Sequence, residues 1–318
     1  MGIFTTLASL FIAIGVVTAQ RDPNARLTKP ALRPNLDHLT PGLIANLPER
    51  GFKYSQWSAG SVPQECVTIA NNWAGVNPKD FQIFNVWYDD CGDPWVFCHH
   101  KSSPISIVQM GLQFGRLPIQ MREWVRHVID VPGASTWAFE WDGSVTFVNP
   151  TTTMIAVIVH EVGHSLDLSG AYISKPMSSG DNFWNNYDQD THVPDNYAQT
   201  NQIENVAQNT VVAVFNENVP GKFASVEPNY NAIFHQYATM ITEARDAGQG
   251  NMIYWQGKTG ACKQRLPPST PVAVSGMAEV KVAGGGVKPF TKLSSNVTVL
   301  DTGRRTLEEK FSNCTLTW

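Results

Sequence analysis

Residues Met154–Gly170 read MIAVIVHEVGHSLDLSG, an apolar run broken by His160, Glu161 and His164. A buried helix carries such groups only where a partner repays their lost hydration. His160 and His164 are four residues apart, so on a helix they project from one face, a turn apart. Two imidazoles placed this way can chelate one tetrahedral Zn²⁺ at about 2.0–2.1 Å. Glu161 falls on the neighbouring flank. It is too far round to be a third ligand and well placed to take a proton from water, which is the logic of the HExxH motif.

A zinc site of this kind needs a third protein ligand and one position left for water. In the longer signature HExxHxxGxxH the third ligand is a histidine six residues after the second. Here Asp167 and Gly170 occupy the glycine and histidine places, so that class is excluded. Glu204 is the better candidate, because Ile203, Val206 and Ala207 flank it with apolar side chains. Tyr197 lies seven residues earlier. If one helix spans both, two turns separate them and they share a face, which makes Tyr197 a candidate hydrogen-bond donor to an oxyanion. Asp188, Asp190 and Asp195 stand as alternative third ligands of the aspartate type. Asp167 is a candidate to orient a ligand histidine, or a last-turn helix residue. His192 is a candidate substrate contact. His99 and His100 read as supports for a disulfide loop, and His127 and His235 as core-edge residues of amphipathic helices.

Outward from this helix the chain alternates strand and helix signals. FQIFNVWY (Phe81–Tyr88) reads as a strand. A helix is expected after Ser103-Pro104, and another from Pro118 through IQMREWVRHVID. TWAFEWDGSVTFV (Thr136–Val148) reads as two strands around the Asp142-Gly143 turn. Asn149-Pro150-Thr151 reads as the start of the HExxH helix and Gly170 as its end. Residues 171–193 read as a polar, aromatic loop. Asp195–Val219 and Ala232–Gly248 read as helices, and Val62–Trp73 as a helix opening at Pro63. This pattern predicts an α+β domain over 61–265. Residues 20–60 are read as a pro-segment or an arm packed on that domain, and 266–318 as a tail.

With 42% hydrophobic and 16% charged residues and a net charge of −4, the chain has material for a core and no electrostatic attraction for nucleic acid or acidic membranes. The apolar run Ile3–Ala19 ends on Val-Thr-Ala and is followed by polar QRDPNAR. That predicts a signal peptide over 1–19 rather than a membrane anchor, hence secretion. In a secreted chain the five cysteines are disulfide candidates. Cys91 and Cys98 enclose the short loop GDPWVF and are expected to pair. Cys262 with Cys314 would tie down the tail, leaving Cys66 over. Asn296 opens a glycosylation sequon, as does Asn313.

HEVGHSLD together with DNYAQTNQIENVAQ resembles the glutamate-type zinc peptidases, in particular the catalytic domain of anthrax lethal factor. VWYDDCGDPWVFCHH, FGRLPIQMREWVRHVI, VPDNYAQTNQIENVAQNTVVAVFNENVPG and IFHQYA resemble the conidiation-specific protein 13 family of secreted fungal proteins. The resemblance implies a zincin-like fold, with a small mixed sheet, the HExxH helix and a C-terminal helical part carrying Glu204. It implies Zn²⁺ held by His160, His164 and Glu204, Glu161 as general base and Tyr197 as oxyanion donor. The expected activity is hydrolysis of a peptide or protein substrate, its backbone laid along the edge of strand Ser144–Val148. The alternative is a non-catalytic secreted wall or matrix binder using Trp137, Trp141, Trp184 and Phe183 as a carbohydrate surface.

Overall fold

The structure is a computed structural model and describes residues 21–174, 176–247, 251–255, 262 and 265–274. The expected signal peptide, both sequons and Cys314 lie outside the described residues. The first strands are β1 (Ala31–Arg33), β2 (Phe52–Gln56), β3 (Ser61–Pro63), β4 (Phe81–Tyr88) and β5 (Trp95–His100). After them come β6 (His127–Val131), β7 (Trp137–Trp141), β8 (Ser144–Val148), β9 (Val193–Asp195) and β10 (Pro271–Ala273). The first helices are α1 (Thr40–Asn46), α2 (Gln64–Ile69), α3 (Ile107–Gly115) and α4 (Ile119–Arg122). The later ones are α5 (Ile155–Leu168), α6 (Asp181–Gln189), α7 (Gln202–Asn218) and α8 (Phe234–Asp246).

Six strands form one mixed sheet in the order β2-β4-β5-β6-β8-β7. The β5–β6 and β6–β8 pairs are parallel, and the others antiparallel. The fold is therefore mixed α+β. Both faces of the sheet are covered, so its central strands read as near-continuous apolar runs. Phe84, Val86, Trp95, Phe97, Val145 and Phe147 meet the buried side chains of α5 on one face. Ile83, Val96, Cys98, Ile129 and Phe139 join Cys66, Val67 and Ile69 of α2 on the other. The hairpin turns at Asp142 (φ 46°) and Gly143 (φ 82°). Two positive φ values in a two-residue loop match the right-handed twist of the strands.

Four expectations differ from the structure. The helix expected from Pro118 stops at Arg122, and His127–Val131 continues as strand β6. The β-branched Val128 and Ile129 are paired on both sides, to β5 and β8, and Val131 to β8, and this pairing overrides the helical reading. His127 is consequently no helix-edge residue. It is fully buried on β6, with Nδ1 3.1 Å from Glu65 Oε2 and 3.0 Å from Ser144 Oγ. The loop expected over 171–193 contains α6. Strand β8 offers no edge, because it is flanked by β6 and β7, and β7 is the outer strand.

The cysteine pairing also differs. Cys66 is bonded to Cys98 and Cys91 to Cys262. Cys91 faces the α5 side of the sheet and Cys98 the α2 side, so the Cys91–Cys98 bridge that their spacing suggested would have to pass through the strand. Cys262, already engaged, leaves no bridge to Cys314.

Of the segment 20–60, the described residues 21–60 are woven into the domain. Leu39, Leu43 and Leu47 are fully buried in the main core, and β1 pairs in parallel with β9. At the other end, β10 pairs antiparallel with β3. The chain is thus packed past the expected boundary at 265, through Val274, which is 3% exposed.

Candidate metal centre

Helix α5 is buried along nearly its whole length. It begins at Ile155, later than the Asn-Pro-Thr signal suggested, because Asn149 takes a left-handed φ of 49° and directs the chain away from a helix there. It ends where Gly170 takes φ 80° and the Ala171 N–H donates to the Leu166 carbonyl at 2.9 Å, the glycine-terminated stop expected from sequence. Helix α7 starts at Gln202, where the Asn201 side chain accepts the Glu204 N–H at 2.9 Å, a side-chain cap.

Gly163, between the two histidines, lets these helices approach. A Cβ there would lie 3.0 Å from Thr210 Oγ1, 3.1 Å from Thr210 Cβ and 3.3 Å from the Ala207 Cα. The last is backbone and cannot turn aside, so any larger residue pushes α7 outward. Gly163→Ala is expected to leave the fold intact and, for a zinc ion held by this donor set, to weaken its binding roughly tenfold, the low end for losing support of a ligand. A competition titration against a chelating dye reads the affinity. An unchanged value would mean that helix spacing does not set the site.

That spacing brings three donor atoms together. His160 Nε2 and His164 Nε2 each lie 3.2 Å from Glu204 Oε2, and 3.1 Å from one another. Ligands about 2.0–2.1 Å from a tetrahedral zinc stand roughly 3.3–3.4 Å apart, so the donor set fits that ion. It is also the one three-member set of this kind among the described residues. All three side chains are buried. Burial pushes the Glu204 carboxyl up, but the His164 and His160 imidazoles outweigh it and hold the group well below the usual carboxylate range.

Behind the ligands lies a relay that the sequence reading missed. His160 Nδ1 faces Gln208 Oε1 at 3.3 Å, and Gln208 Nε2 donates to Asp195 Oδ2 at 2.8 Å. With its amide nitrogen committed to Asp195, Gln208 presents an acceptor to His160. The ring proton is thereby held on Nδ1, leaving the Nε2 lone pair for a metal. Burial raises the Asp195 carboxyl to about 7, against the lowering effects of the Ala198 N–H, His160 and the Tyr197 N–H. The one signal for Gln208 was its spacing, four residues after Glu204 and so on the same helical face.

The other expected residues divide. Glu161 is fully buried beside His160 on α5. The Tyr197 ring lies 5.7 Å from the His160 ring, edge to face. Tyr197 is not on the Glu204 helix as its spacing suggested. It precedes a separate short turn, Ala198–Thr200, and reaches the site through the bend before α7. Asp167 accepts the Ser178 N–H at 3.0 Å. His192 bonds Thr191 at 2.9 Å. The aspartate-type alternatives are engaged elsewhere. Asp188 meets Arg21, Asp190 caps α8 through the N–H groups of His235 and Gln236, and Asp195 holds Gln208. His99 pairs with Asp130 at 2.7 Å across neighbouring strands and supports no disulfide loop. His100 accepts the Ser102 N–H at 3.1 Å, and His235 bonds Asp190 at 2.8 Å. Trp137, Trp141, Trp184 and Phe183 are all buried.

The family model described as Conidiation-specific protein Con-13 matches residues 35–287. A relative of that name from Neurospora crassa, conidiation-specific protein 13, is 26% identical over 255 residues, covering 78% of this chain and 74% of its own length. No solved structure matches. Those matched residues include His160, His164 and Glu204, and on the extent of that match the chain belongs to the conidiation-specific protein Con-13 family.

Proposed function

We propose that this protein is a secreted zinc-dependent metallopeptidase on a zincin-like scaffold. The observation that carries the reading is the convergence of His160 Nε2, His164 Nε2 and Glu204 Oε2 to within 3.2 Å of one another. Three buried polar side chains converging on one point need a partner that offsets their lost hydration, and a shared cation supplies one. A zinc ion held there would bring the pKa of a coordinated water toward neutrality and polarise a carbonyl oxygen. Glu161, next to His160, receives the proton of the attacking water and passes it to the leaving amine. Tyr197, within reach of the His160 ring, donates a hydrogen bond to the oxygen that gains charge at the scissile carbon. Gln208 and Asp195 keep His160 in the tautomer this needs.

The two disulfides support an oxidising compartment, in line with the reading of residues 1–19 as a signal peptide. The test uses purified full-length mature protein. One equivalent of zinc by elemental analysis is expected, with hydrolysis of an unfolded protein that stops on chelation and returns with zinc. Protein that carries zinc yet leaves a broad peptide library intact would remove the peptidase reading and leave the metal a structural role.

A further inference from the structure

We infer that residues 21–33 are a permanent support of the metal centre and not a removable inhibitory segment; this rests on the ligand set described above. The arm runs along residues 181–202, the stretch that delivers Asp195, Tyr197 and the start of α7. Its backbone meets that stretch repeatedly. The Gln202 N–H donates to the Pro23 carbonyl at 2.9 Å, the Leu27 N–H to Gln199 at 3.0 Å, and the Val193 N–H to Pro30 at 3.0 Å. The Gln199 side chain donates to the Lys29 carbonyl at 2.8 Å. In the β1–β9 ladder Ala31 stands opposite Val193 and Arg33 opposite Asp195.

Side chains reinforce this. Leu27 is 5% exposed and shares a small apolar cluster with Trp184, Tyr187, Val193 and Ala198. The Lys29 ammonium donates to the carbonyls of Tyr187, Asp188 and Asp190, at the end of α6, where a cation opposes the negative end of the helix dipole. Arg21 reaches Asn185 at 2.9 Å and Asp188 at 2.8 Å.

An inhibitory segment rests on a surface that is already formed and leaves it intact on departure. Here the arm supplies the structure itself. Strand β9 belongs to a two-stranded sheet whose other member is β1, so without the arm its ladder is lost. Gln202 is the first residue of α7, and its N–H is one of the helix-start donors that lack an intrahelical acceptor. Pro23 provides one. Two residues on stands the ligand Glu204, and Asp195 in β9 leads through Gln208 to the ligand His160. Loosening the arm therefore loosens two of three metal ligands, and Tyr197 with them.

The experiment compares the full mature chain with a form lacking residues 21–29, by amide hydrogen exchange and by zinc competition against a chelating dye. In the shortened chain, exchange of the 193–204 amides is expected to quicken at least about tenfold, and zinc to bind roughly 10–100-fold more weakly, the range for losing support behind a ligand. Peptide hydrolysis falls with it. Equal exchange and equal zinc affinity, or hydrolysis that rises on truncation, would overturn the inference. If the shortened chain fails to fold, Lys29→Met in the full chain decides: it should speed exchange across 187–204, with Lys29→Arg close to the parent, and parent-like exchange in Lys29→Met would count against the arm. Should the full chain bind no zinc, the peptidase reading is lost, while the exchange comparison still judges whether the arm holds this segment.

Discussion

Glu161→Gln is expected to keep one equivalent of zinc and the thermal stability of the parent while hydrolysis of an unfolded protein falls by about a hundred- to ten-thousand-fold, the usual contribution of a positioned general base. The substitution keeps the volume of a side chain that is fully buried and removes only its capacity to accept and return a proton. The three donor atoms His160 Nε2, His164 Nε2 and Glu204 Oε2 belong to other side chains, so the donor set should not change. The loss should fall on kcat and on kcat/KM alike, because the proton is taken in the transition state and not in the bound ground state. A variant with parent-like kcat would show that Glu161 takes no proton. A variant that lost zinc as well would show that it belongs to the coordination, not to the chemistry.

The two parts of the site were legible to different degrees. The HExxH face needs only helical geometry, because four-residue spacing on any α-helix aligns His160 with His164. Strand β4 matched its run residue for residue, since β-branched and aromatic side chains filled both covered faces. Glu204 was legible as a polar group among apolar neighbours. Tyr197 was picked by a spacing that does not apply, because the chain bends at 198–200 before α7 begins. Its ring nonetheless lies beside His160, held by tertiary contacts that no local period encodes.

What escaped the sequence is what depends on pairing between distant segments. Ile119, Val125, Val128 and Ile129 have the spacing of one helical stripe, and only the neighbours β5 and β8 make His127–Val131 a strand. The short loop between Cys91 and Cys98 points to a bridge between them, whereas the side of the sheet on which each falls decides the matter. The arm carries no periodicity at all. Its role lies in backbone hydrogen bonds to residues about 170 positions away, which composition cannot reveal.

Glu204→Gln is expected to abolish tight zinc binding outright, a larger effect than that of Gly163→Ala, because it removes a ligand instead of shifting one. Glu204 brings the one negative charge to a set otherwise made of two neutral imidazoles, and its Oε2 is equidistant, at 3.2 Å, from both nitrogens. An amide of the same shape offers a weaker, uncharged oxygen and is no substitute for a carboxylate on a divalent cation. The other nearby acids are spoken for by the α8 cap and by Gln208, so none is placed to step in. Thermal unfolding with and without zinc separates this from simple damage to the fold. A ligand present at a thousand times its Kd stabilises a protein by about 4 kcal/mol, so the parent should melt higher when zinc is added and the variant should not. In the absence of metal the variant should melt somewhat lower than the parent, because the amide keeps the volume but loses the carboxylate's favourable contact with the His164 and His160 imidazoles; the decisive reading is the response to zinc. A variant whose melting still rises with zinc as the parent's does would mean that the ion sits elsewhere. His160 and His164 would then be an ordinary buried pair, and the reaction assigned to Glu161 would have no centre to act on.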